Sequence, residues 1–97
     1  MSRYVVLMKF TDKGLANVNQ SPDRATAFRA AAEKAGAKIE TQLWTTGAYD
    51  ALMIFSAPDE TTTAGLVLGL AKSGNVSTCM LRAFDAAEFK SVLGKMS

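Results

Sequence analysis

Histidine is missing from all 97 residues. With it go the commonest general base, the commonest metal ligand and the proximal ligand of many haems, so a zinc centre, a Ser-His-Asp triad and a His-ligated haem are excluded. Cysteine occurs once, as Cys79, which rules out an internal disulfide and leaves a thiol redox cycle without a resolving partner. Set between Thr78 and Met80 in a strand-like run, it is expected to be an inert core residue. No apolar run reaches about 18 residues, so no membrane span is expected. Basic charge is never concentrated: the net charge is +2 and the lysines and arginines are scattered from Arg3 to Lys95, which gives no footprint for nucleic acid. Met-Ser-Arg-Tyr-Val enters a strand pattern at once, without a basic and then apolar leader, and the expected location is the cytoplasm.

What is present is apolar and regularly patterned. Hydrophobic residues make up 48% of the chain, in a length that suits one domain, residues 1–97. A small domain with apolar surface to spare is expected to associate with itself. The most strand-like stretch follows Gly47, where Tyr49, Ala51, Met53 and Phe55 alternate with Asp50, Leu52 and Ile54. Arg3 to Phe10 alternates in the same way and is also apolar on both faces, as a central strand is. Thr11 to Gln20 reads as a polar loop. Ser21-Pro22-Asp23 predicts a helix start, with serine as N-cap and proline at the first helical position, and Gly36 its end. Ala37 to Thr45 reads as an edge strand, with Ile39, Thr41 and Leu43 on its apolar face, joined as a hairpin through Thr46-Gly47-Ala48. Pro58-Asp59-Glu60 opens a second helix, which carries Leu66 and Leu70 on the side opposite Ala64, Val67 and Leu68 and therefore calls for cover on two sides. Asn75 to Phe84 is a fourth strand, and Asp85 caps a short helix over Ala86 to Leu93 whose Phe89 and Val92 or Leu93 could lie over the body.

The order β-α-β-β-α-β predicts an α+β, ferredoxin-like domain: a four-stranded antiparallel sheet with both helices on one face. Sorting by alternation assigns the set of smaller residues, Val5, Leu7, Ile39, Leu43, Leu52, Ile54, Cys79, Leu81 and Ala83, to the helix side. Tyr4, Met8, Phe10, Trp44, Tyr49, Met53, Phe55, Met80 and Phe84 then fall on the open side. An aromatic and methionine face of that size predicts a second copy stacked against it, as a homodimer or larger even-numbered oligomer.

Thr46-Gly47-Ala48-Tyr49-Asp50 resembles the signature of the GYD-domain family. The likeness continues through the opening Tyr-Val-Val-Leu-Met-Lys-Phe-Thr, Ser21-Pro22-Asp23-Arg24, Ala57-Pro58-Asp59, Gly74-Asn75-Val76, Leu81-Arg82-Ala83-Phe84 and Glu88-Phe89. The resemblance implies a small bacterial or archaeal protein of the dimeric α+β barrel type, and no established activity.

The candidate ligand cleft, between two stacked sheets, comprises Tyr4, Met8, Trp44, Tyr49, Met53 and Met80, a set suited to a small apolar or aromatic molecule. Asp50 is expected to accept backbone N–H bonds at the turn, so that Gly47, Tyr49 and Asp50 form a structural motif. Lys9, Arg24 and Arg82 are the cations placed to meet an anionic ligand. No metal site and no cofactor are expected. The function expected is small-molecule binding or an accessory role; the alternative is a metal-free, cofactor-independent oxygenase or isomerase, in which Tyr49 or Asp50 would supply the acid–base chemistry.

Overall fold

The computed structural model describes residues 1–96. Its strands are β1 (Ser2–Phe10), β2 (Lys38–Trp44), β3 (Ala51–Ala57) and β4 (Val76–Ala83); its helices are α1 (Asp12–Ala16), α2 (Ser21–Lys34), α3 (Glu60–Lys72) and α4 (Ala86–Leu93). The sheet is antiparallel in the order β2-β3-β1-β4, consistent with the ferredoxin-like arrangement, with β1 and β3 inside and β2 at an edge. No helix among the described residues is long and apolar enough to cross a membrane.

Thr11 to Gln20 is not a loop. Thr11 caps α1, its hydroxyl accepting from the Gly14 N–H, and a single 3-10 turn over Val18–Gln20 leads into α2. A side chain at position 14 would collide with the Asn75 backbone, a built Cβ lying 1.9 Å from its carbonyl oxygen, so glycine lets α1 rest on the start of β4. Ser21 lies inside α2 rather than capping it, which frees its hydroxyl for another partner. α3 and α4 start as their sequences require. Asp59 accepts from the Thr62 N–H, and Asp85 and Glu88 form a reciprocal capping box.

Ile39 apart, which is buried on the helix side as its alternation predicts, the two faces of the sheet are the reverse of the sequence reading. Tyr4, Val6, Met53 and Phe55 are buried under the helices, where Phe28 of α2 and Leu66, Val67 and Leu70 of α3 pack against them. Phe55 is wholly excluded from solvent and stacks on Tyr4, ring centroids 5.6 Å apart. The reason is volume. Ala25 and Ala32 give α2 a shallow inner surface, so the sheet must supply the bulk that fills the layer. Small sheet residues beneath an alanine helix would leave voids.

Val5, Leu7, Leu43, Leu52, Ile54, Cys79 and Leu81 therefore make up the open face. Cys79 is exposed, not core. β2 departs from simple alternation, because its register against β3 shifts between Ile39 and Thr41. Glu40 and Thr41 occupy one step of the ladder, so that Ile39, Gln42 and Trp44 face the helices while Leu43 turns outward. Within α3, Thr63, Leu66, Val67 and Leu70 are the inward residues and Leu68 is exposed, so the sheet itself covers Leu66 and Leu70. α4 leaves Phe89, Val92 and Leu93 in solvent instead of folding them over the body. The described chain measures 49 × 31 × 19 Å.

Candidate functional site

The bulge in β2 is what builds the site. By turning Gln42 and Trp44 to the helix side it sets them beneath the first half of α2. The Trp44 indole N–H donates to Ser21 Oγ at 2.9 Å, using the hydroxyl that does not cap the helix. Gln42 accepts from Arg29 Nε and Nη2 at 3.2 and 3.0 Å and donates to the Ala25 carbonyl, which ties the strand to α2.

Between these residues and the last turn of α3 lies a cavity of about 270 Å³. Met8, Phe28, Trp44, Met53, Leu70 and Val76 give it an apolar wall, and Ser21, Arg24, Gln42, Ser73 and Asn75 add polar groups. Three residues of the expected cleft, Met8, Trp44 and Met53, therefore do meet, but beneath the helices and not between two sheets. Tyr4 and Met80 border a second, more open depression with Thr63. Tyr49 joins neither cavity. It lies on the exposed turn with the Lys9 ammonium 5.7 Å from its ring centroid.

The turn is held by backbone bonds from both sides. Thr45 N–H donates to the Asp50 carbonyl and Thr45 Oγ1 to that of Tyr49, while Gly47 adopts φ +128°, a left-handed value that glycine alone takes without strain. Asp50 bonds β1 twice, through its N–H to the Met8 carbonyl and through Oδ2, which accepts the Phe10 N–H at 2.8 Å. β3 begins only at Ala51, so Tyr49 is not part of its alternation.

The family model for the GYD domain matches residues 4–93. The chain belongs to the GYD-domain family. The family is of unknown function, and no curated protein matches the sequence. The site of this GYD domain is therefore argued from its own groups. Among the described residues no cluster of cysteine and acidic side chains could hold a metal ion.

The three cations singled out in the sequence have different fates. Arg82 pairs with Glu88 at 3.8 Å and lies over the Phe84 ring at 4.3 Å, and Lys9 covers Tyr49. Arg24 lines the cavity and makes no ion pair among the described residues. Away from the cavity, Arg3 binds Glu40 at 3.0 Å and lies 3.8 Å from Glu88. That hydrogen-bonded guanidinium holds the Glu40 carboxyl below the usual carboxylate range. Gln42, Phe28 and Asn75 were not legible as site residues, because the bulge and the reversal of the faces decide where they go.

Proposed function

We propose that this GYD domain is a cytoplasmic, non-enzymatic, homo-oligomeric binding protein that holds a small apolar or aromatic molecule in the cavity beneath α2 and α3. The observation that carries the reading is the cavity itself: about 270 Å³, walled by aromatic and methionine side chains, with a few polar groups placed to orient an occupant. Among the described residues its wall includes no carboxylate, tyrosine or cysteine to serve Ser21 or Ser73 as a general base, which favours binding over catalysis. Self-association is supported by two apolar surfaces, the Leu7–Leu52–Ile54–Leu81 sheet face and the Phe89–Val92–Leu93 side of α4. A single free thiol suits a reducing compartment.

Native mass spectrometry of freshly purified protein tests both parts, reading subunit number and any co-purified mass together. An even-numbered oligomer carrying a reproducible small mass is expected. Ala25→Phe, which fills the cavity from α2, is expected to lose that mass while keeping the oligomer. Retention of the mass in Ala25→Phe would place the ligand elsewhere and end the cavity reading, and a monomer would end the self-association reading.

A further inference from the structure

Resting on the cavity reading above, we infer that the occupant is an apolar monocarboxylate whose carboxylate is met by Arg24 and Asn75. Among the described residues Arg24 is the only charged side chain in the cavity wall. Its Nη1 donates to the neutral Asn17 carbonyl at 3.1 Å, and no carboxylate among the described residues pairs with it, so the charge it brings to the wall is uncompensated. Asn75 adds a second observation. It is 9% exposed and lines the same cavity, yet its carboxamide makes no hydrogen bond among the described residues; only its backbone does, through Thr11 and Ser73. An unpaired cation and an unused carboxamide thus belong to the wall of a chamber otherwise lined by Met8, Phe28, Met53 and Leu70.

One cation balances one negative charge, and a guanidinium and a carboxamide together offer N–H donors to two oxygens. The remaining wall accepts only hydrocarbon or an aromatic ring. The chemistry is that of a short fatty acid or an aryl-substituted acid. A dianion such as a phosphate monoester would leave charge unneutralised, because among the described residues no lysine and no second arginine borders the cavity.

Trp44, the only tryptophan, lines the cavity and reports occupancy by its fluorescence. Phenylacetate and octanoate are titrated against phenylacetamide and octanamide, neutral isosteres of the same shape. Each acid is expected to bind at least tenfold more tightly than its amide, the scale of one charge-assisted hydrogen bond. Arg24→Gln should erase that preference while leaving amide binding in place. Asn75→Asp, which keeps the shape and adds a like charge, should weaken the acids and spare the amides, so the inference does not hang on one variant's folding. Equal binding of acid and amide by the unaltered protein overturns the carboxylate assignment alone. Tighter binding of phenylphosphate than of phenylacetate also overturns it. Failure of all the probes to bind removes the cavity reading together with the inference built on it.

Discussion

Asp50 and Phe55 stand five positions apart and hold the fold in different ways. Asp50 satisfies the Phe10 N–H at the end of β1, and Asp50→Ala leaves that part-buried donor without its acceptor. The expected cost is about 1–3 kcal/mol, read as a lower urea midpoint. Phe55→Ala opens a void between Tyr4 and the helices and is expected to cost about 3–5 kcal/mol, a large part of a small domain's stability. Acid weakens the molecule through other residues. Glu40, bonded to Arg3, and Asp59, accepting the Thr62 N–H, both have carboxyls held below their ordinary values. Their stabilisation is complete above the unfolded-state values near pH 4 and is lost as pH falls through the lower folded-state values. A melting-temperature profile should therefore decline below about pH 4.5, and less steeply in Glu40→Gln.

β2 shows why the elements were more legible than the site. Its extent, its edge position and its hairpin to β3 follow from composition and from Gly47, and Asp85 with Glu88 marks the start of α4 unambiguously. The extra residue at Glu40–Thr41 carries no comparable signal, since threonine suits a regular strand. Yet its accommodation in a bulge, in place of regular alternation, is what turns Trp44 to the cavity. Deleting Thr41 removes the bulge while leaving Ile39 and Trp44 on their present faces, so the variant should fold and keep the native Trp44 emission. A red shift on loss of Thr41 would show that the register is fixed some other way. The reversal of the faces has a similar root. Alternation separates Tyr4, Val6, Met8 from Val5, Leu7, Lys9 without saying which set lies inward, and when both are apolar only the volume demanded by α2 decides.

For the whole molecule the adjacent pair Met53 and Ile54 separates the core from the proposed interface. Met53→Glu places a charge under the helices and should abolish folding. Ile54→Glu alters only the open face and should yield a folded monomer by light scattering, with circular dichroism unchanged. An oligomer that survives Ile54→Glu would mean that copies meet through some other surface. The central place of β1 has a consequence for biosynthesis. Ser2 pairs with Ala57 and Arg3 with Ala83, so β1 leaves the ribosome well before either of its neighbours, β3 and β4. Until they follow, both of its apolar faces and both rows of its backbone hydrogen-bonding groups stay bare, a state open to wrong pairing between nascent chains. The four-stranded sheet is complete only when β4 arrives beside β1.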